Sequence, residues 1–338
     1  MLLVATDAHF EEHDAGRSHP ERPARIRAVL EGLDAGAPPD SRRRLEPRAA
    51  TRGDLERVHT AAYLDHLERF CAAGGGLLDA DTGASPASWE AALLAAGSGL
   101  EAVDALERGD GDSAFCAVRP PGHHAVAERA MGFCLLNNVA VTAAALRDRG
   151  ERVLIIDWDA HHGNGTQDIF YSDPSVMYVS MHEWPLYPGT GRLRDIGAGD
   201  GEGTTVNFPL PAGATGDVYL DAIDTVVEPL AEAFAPTWVL VSAGYDAHRA
   251  DPLTGLGLAA GDYADITARM MALAAPRRLV VFLEGGYDLG ALRDSTAATV
   301  STLLGHPERV EPATSGGPGR TVVRAALDLH AEGPFPVG

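Results

Sequence analysis

Short apolar runs rich in β-branched residues recur along the chain: Phe115 to Val118, Val153 to Ile156, Val176 to Val179, Trp238 to Val241 and Leu279 to Leu283. Such runs suit strands buried on both faces of a parallel sheet. Between them lie Ala- and Leu-rich amphipathic stretches of helical length, namely Ala87 to Arg108, Asn138 to Arg149, Val218 to Ala235 and Tyr263 to Ala274. The alternation predicts an α/β fold: a doubly wound, mainly parallel sheet with helices on both faces. Gly199 to Gly203 and Gly213 to Gly216 read as loops, and Thr314 to Gly319 as a mobile turn before a last helix. No repeat, low-complexity segment or Pro/Ser linker divides the chain. With 338 residues and 45% hydrophobic content, residues 1–338 are read as a single domain around one large core.

In open parallel sheets, ligands bind beyond the carboxyl ends of the strands. Four predicted strand ends carry chemistry here. Phe115 to Val118 leads into Arg119-Pro120-Pro121-Gly122-His123-His124, and Val153 to Ile156 into Asp157-Trp158-Asp159-Ala160-His161-His162-Gly163-Asn164. Trp238 to Val241 leads into Ser242-Ala243-Gly244-Tyr245-Asp246, and Leu279 to Leu283 into Glu284-Gly285-Gly286-Tyr287. Asp157, Asp159 and His161 alternate, so an extended backbone would aim all three to one side. A carboxylate and an imidazole two apart, joined by a distant carboxylate such as Asp246, give three metal ligands and leave a position for water, as catalytic zinc requires. A closed structural site usually uses cysteines, and none is near in the sequence.

The tandem His123-His124 follows a Pro-Pro-Gly turn, with Asp157 and Asn164 as candidate partners to fix the ring tautomers. An imidazole anchored at one nitrogen can use the other as a general base. Gly285 and Gly286 permit a sharp turn before Tyr287, whose hydroxyl could donate to a developing oxyanion.

The balance of 48 acidic against 27 basic residues gives a formal charge of −21, with no basic run to track phosphates. Nucleic acid is therefore not an expected partner. An acidic surface would attract cationic substrates such as lysine-rich segments or polyamines. Cys71, Cys116 and Cys134 are too few and too scattered for a disulfide framework and read as reduced, buried thiols. The opening Met1 to Thr6 lacks a basic start and a cleavage site, and no stretch approaches the roughly 18 apolar residues of a membrane span. A cytoplasmic protein with no membrane partner is expected.

The stretches RPPGHH, GFCLLNN, DWDAHHGNGTQ, YPGTG, SAGYDAHRADPL and LEGGYDL resemble the zinc-dependent histone deacetylase and acetylpolyamine amidohydrolase superfamily, whose fold is the arginase/deacetylase fold. They fall in family order from about residue 119 to 289, and HPERPAR and LLGHP extend the likeness over nearly the whole chain. DWDAHHGNGTQ with EGGY is similar to the class II branch and its bacterial deacetylase-like amidohydrolases, since class I carries Asp at the place of Asn164.

The resemblance implies Zn2+ held by Asp159, His161 and Asp246, with His124 as general base and acid. It implies that His123 is the neighbouring electrostatic histidine oriented by Asp157, that Asn164 orients His124, and that Tyr287 polarises the carbonyl. Gly132 and Phe133 match one wall of a substrate tunnel, and Tyr187 stands where the opposite wall usually carries Phe. Arg25 matches a basic residue of a product-acetate channel, and Asp81 a rim acid. A structural K+ or Na+ is implied at Asp157, Asp159, His161, Ser180 and Met181. Two carboxylates with one imidazole would also accept Fe(II), Co(II) or Mn(II).

The expected substrate is an acyl-lysine or another acylated amine. Polyamine-selective relatives are expected to place an acid at Leu253, so an acetylpolyamine amidohydrolase is the alternative reading. A binuclear ureohydrolase would want another Asp where this chain has His162 and Gly163. A non-catalytic binding module would lack a ligand or the tyrosine. A homo-oligomer is compatible with the sequence.

Overall fold

A computed structural model describes residues 1–331 and 333–335. Its centre is an eight-stranded sheet: β1 (Leu2–Ala5), β2 (Arg42–Leu45), β5 (Ser113–Cys116), β6 (Val153–Asp157), β7 (Val176–Glu183), β8 (Thr205–Leu210), β9 (Trp238–Ala243) and β10 (Leu279–Leu283). A separate antiparallel ladder pairs β3 (Gly76–Leu77) with β4 (Gly83–Ala84). The large sheet runs β2-β1-β5-β10-β9-β6-β7-β8, and every neighbouring pair is parallel. Residues of β1, β5, β6, β9 and β10 are buried without exception, which requires cover on both faces.

The helices are α1 (Ala24–Gly36), α2 (Arg52–Leu55), α3 (Ala61–Ala72), α4 (Ser88–Glu107), α5 (Asn138–Asp148), α6 (Asn164–Phe170), α7 (Gly216–Ala222), α8 (Glu228–Phe234), α9 (Ala260–Leu273), α10 (Leu289–Leu303) and α11 (Arg320–His330). Helix α1 packs on α10 and α10 on α9, while α4 packs on α5. The first contact is backbone-close: a Cβ on Gly32 or Gly36 of α1 would lie 2.3 Å from the carbonyl oxygen of Arg293 or Ala297 of α10.

Several departures from the pattern have local causes. The stretch Val218 to Ala235 is not one helix; a wide π turn over Ile223–Val227 separates α7 from α8. Pro229 cannot donate to the carbonyl four residues back, and Glu228 N–H instead reaches the Ile223 carbonyl five residues back. Gly216 belongs to α7 rather than to a loop, and Gly199–Gly201 is a 3-10 turn. Strand β5 starts two residues earlier than the apolar run suggests, and β7 continues through polar positions to Glu183. Strand β8 carries Pro209, tolerated because β8 is a sheet edge.

The segment Thr314 to Gly319 is tied down rather than free. Thr314 N–H and hydroxyl donate to Asp262 at 2.8 and 2.7 Å, Gly316 N–H to Asp217 at 3.2 Å, and Gly317 N–H to Thr215 Oγ1 at 2.8 Å.

The topology also makes the site. β5 and β6 are consecutive in this sheet's chain order, yet β10 and β9 lie between them. The loops leaving these four strand ends therefore converge on one crevice.

Candidate active site

Strand β6 ends at Asp157, and the chain then turns. Continued strand alternation therefore does not align Asp157, Asp159 and His161. Asp157 Oδ1 accepts the Asp159 N–H at 3.1 Å, while Oδ2 lies 3.0 Å from His123 Nδ1 and accepts the Tyr178 hydroxyl at 3.0 Å. Asp159 and His161 instead meet Asp246, beyond β9. One donor atom from each of Asp159, His161 and Asp246 lies within 4.8 Å of the others. His161 Nδ1 is 3.2 Å from Asp159 Oδ1 and 3.0 Å from Asp246 Oδ2.

The remaining carboxylate oxygens are fixed from behind. Asp246 Oδ1 accepts Ala160 N–H at 2.7 Å, and Asp159 Oδ2 accepts Gly285 N–H at 2.8 Å. Gly285 leaves room for this set, since a Cβ there would lie 2.3 Å from Asp246 Oδ2 and 2.6 Å from Asp159 Oδ2. Burial, and then the facing Asp159 carboxylate, push Asp246 up to about 7. Among the described residues no arginine pairs with either acid, and the chain has no lysine. Two buried carboxylates and one imidazole around a common point, with no arginine or lysine paired to them among the described residues, fit a divalent metal ion with a position left for solvent or substrate.

The His123 and His124 rings are 4.0 Å apart at 44°. His124 Nδ1 sits 2.9 Å from Asn164 Oδ1, an oxygen that only accepts, so Nδ1 carries the proton and Nε2 is left with its lone pair. Burial and the adjacent His123 and His161 hold His124 well below the usual imidazole range. For His123 burial works in the same direction, but Asp157, Asp159 and Glu284 outweigh it and raise it to about 10. One ring is neutral beside one that is charged.

Two neighbours of this pair carried no assigned role in the sequence. Glu284, at the end of β10, accepts the N–H groups of Gly122 and His123 at 2.7 and 3.2 Å and the Ser242 hydroxyl at 3.1 Å. Cys134 is also near, contrary to the sequence spacing: its sulfur, a His123 ring nitrogen and a Glu284 carboxylate oxygen lie within 4.8 Å of one another. A carboxylate ending a buried strand was a legible signal for Glu284, and Cys134 directly follows the tunnel residues Gly132 and Phe133 in the GFCLLNN stretch.

Through His161 this donor set borders a cavity of about 210 Å³ lined by Asp81, His124, Gly132, Phe133, His161, Leu186, Tyr187, Leu253 and Tyr287. Phe133 meets Tyr287 edge-on at 5.8 Å, and Tyr187 meets His124 edge-on at 5.2 Å. Gly132 and Phe133 have φ of +55° and +68°, and a Cβ on Gly132 would lie 2.4 Å from the His124 ring. Leu253 and Tyr187 are partly exposed. His19, missed in the sequence, donates to or accepts nothing from the cavity itself but packs edge-on to Phe133 at 4.5 Å and hydrogen-bonds the Asp81 carbonyl at 2.9 Å. Asp251 holds the Tyr287 N–H at 2.7 Å.

Arg25 is not in the cavity lining. It is fully buried behind Tyr287, its guanidinium carbon 5.0 Å from the ring centre. It donates to the carbonyls of Gly286, at 2.6 Å, and Glu284, and to Glu21 at 3.0 Å. Of the expected monovalent-cation residues, Asp157 is in register with Ser180, and the Met181 carbonyl accepts the Tyr219 hydroxyl at 3.2 Å.

Comparison with known proteins places this geometry. The chain is 42% identical over 303 residues to a protein named probable deacetylase from Archaeoglobus fulgidus, covering 88% of this chain and 84% of the relative. It is 39% identical over 298 residues to a histone deacetylase-like amidohydrolase from Pseudomonas aeruginosa, covering 85% and 76%. The crystal structure of the HDA15 HD domain superposes with a TM-score of 0.90 at 37% identity, covering 98% of this chain and 94% of that one. The model of the histone deacetylase domain matches residues 19–303, so the chain belongs to the histone deacetylase family.

Proposed function

We propose that residues 1–338 form one catalytic domain that hydrolyses acyl-amides, releasing the acyl group from acyl-lysine or a related acylated amine. The observation that carries this reading is the meeting, at one cavity, of a cation-fitting donor set with a neutral histidine and a tyrosine. Asp159, His161 and Asp246 would hold zinc, which supplies Lewis acidity that activates water and polarises a carbonyl.

The chain's own residues do the rest. Phe133 and Tyr187 flank an extended acyl-amine stem and exclude water from it. His124, with Nδ1–H fixed on Asn164, takes a proton from the attacking water at Nε2. The water oxygen bonds to the carbonyl carbon while the Tyr287 hydroxyl donates to the oxygen gaining charge. As the C–N bond breaks, His124 returns the proton to the leaving amine. His123, held by Asp157, keeps a positive field beside the reacting centre.

Leu253, partly exposed at the cavity, offers no charge to the inner ammonium groups of a polyamine, which favours acyl-lysine over acetylpolyamines. The test is an acyl-chain series on lysine peptides beside acetylputrescine, with protein stripped of metal and then reloaded with zinc. Metal-restored release of carboxylic acid from the peptides is expected. Zinc-loaded protein inert toward every acylated amine would overturn the proposal.

A further inference from the structure

We propose that His123, Cys134 and Glu284 form a second site, for a thiophilic divalent cation, behind the proposed catalytic centre, and that filling it inhibits the enzyme. These residues come from the turn after β5, the loop before α5 and the end of β10, and all are buried. Their donor atoms lie within 4.8 Å of one another. Zinc–sulfur and zinc–nitrogen bond lengths place the ligands of one tetrahedral ion on the order of 3.5 Å apart, so a small adjustment brings the three onto one ion.

Each donor has capacity left. His123 Nδ1 faces Asp157, which leaves Nε2. The Cys134 thiol makes only a weak 3.3 Å bond to the Gly132 carbonyl. Glu284 Oε2 accepts both the Gly122 and the His123 N–H, whereas Oε1 accepts only the Ser242 hydroxyl and keeps a lone pair. Glu284 has no arginine partner among the described residues, and burial pushes it up to about 7.

The set differs from Asp159, His161 and Asp246 in one chemically decisive way: it contains sulfur. Thiolate selects softer ions, whereas two carboxylates and an imidazole make a harder site. Binding sends the Cys134 thiol proton and the His123 Nε2 proton to solvent, and the thiolate and carboxylate then balance the doubly charged ion. His124, which lines the cavity, has its ring centre 4.0 Å from that of His123. An ion on His123 Nε2 would stand next to the first donor set, since that nitrogen is 3.9 Å from Asp159 Oδ2. The inhibition rests on the hydrolytic reading of the histidine pair; the metal binding does not.

Cobalt(II) titration of the metal-free protein separates the two sites, because only the second can give a thiolate-to-cobalt charge-transfer band. The first equivalent should restore turnover without that band, and the second should produce the band and suppress turnover. Cys134→Ser should keep the first equivalent and its activity, lose the band, and need roughly tenfold or more cobalt for inhibition. Cys134→Ala serves equally if the serine variant folds poorly, first-equivalent binding being the check on folding. No band in the wild type at two equivalents, or a band that survives in both variants, overturns the second site. A Cys134-dependent band in protein that never turns over leaves the site standing and overturns the hydrolytic reading instead.

Discussion

The atoms that decide reactivity are few, and each is fixed by a partner that can be removed singly. Tyr287 is held through its N–H by Asp251 and over its ring by Arg25, so its hydroxyl can be deleted without disturbing the turn. Tyr287→Phe is expected to lower kcat about 10²- to 10³-fold, the usual effect of one lost oxyanion donor, with metal content unchanged. Steady-state kinetics with metal analysis checks this; wild-type turnover in the metal-loaded variant would remove Tyr287 from the chemistry. Gly285 does not have a positive φ, so alanine there is permitted by the backbone and forbidden only by the two carboxylates behind it. Gly285→Ala should therefore weaken metal binding while the fold survives, measured by competition with a chromophoric chelator; affinity equal to wild type would show that the carboxylates can move aside.

Elements are joined around the site by buried or partly buried carboxylates rather than by apolar contact alone. Glu311 accepts His248 Nε2–H at 2.7 Å, the Ala260 N–H at the start of α9 at 3.1 Å, and Arg249 at 2.6 Å. Burial would raise its pKa, but these donors prevail and hold it at about 2. A carboxyl depressed in the folded state stabilises fully above its unfolded pKa, and the stabilisation is lost as pH falls from about 4.5 toward 2. Urea midpoints measured through that window should fall more steeply for wild type than for Glu311→Gln. Parallel slopes would mean that Glu311 contributes nothing to the acid limb. The same scale explains the helix break before α8, where a proline rather than a change in hydrophobicity interrupts the pattern.

Across the whole molecule, the amino-terminal segment is locked to the catalytic rim by one charge cluster. Glu21 pairs with Arg25 of α1 at 3.0 Å and, through both oxygens, with Arg119 of the turn after β5; all three are fully buried. Burial disfavours the Glu21 charge, yet Arg119 and His13 hold it well below the usual carboxylate range. Arg25 in turn clamps the Glu284 and Gly286 carbonyls, so the cluster reaches the Tyr287 turn. Glu21→Ala would strand two buried guanidinium groups and is expected to destabilise the fold by about 3–5 kcal/mol. A denaturation midpoint near wild type would contradict this.

The sequence by itself determined the fold class and the chemical inventory, because buried parallel strands write themselves as apolar runs and the reactive residues follow directly at their ends. His123, His124, Asp159, His161, Asp246 and Tyr287 were legible for that reason. Short strands such as β1 and β8 were not, since four apolar residues or a run containing Asn and Pro have no periodicity to reveal them. Only the tertiary structure decided which residues the side chains beyond β6 meet, that the Arg25 guanidinium lies over the Tyr287 ring, and that Cys134 lies against His123 and Glu284. Those relations join residues far apart in the chain, and they exist only once strand order and packing have set the loops against one another.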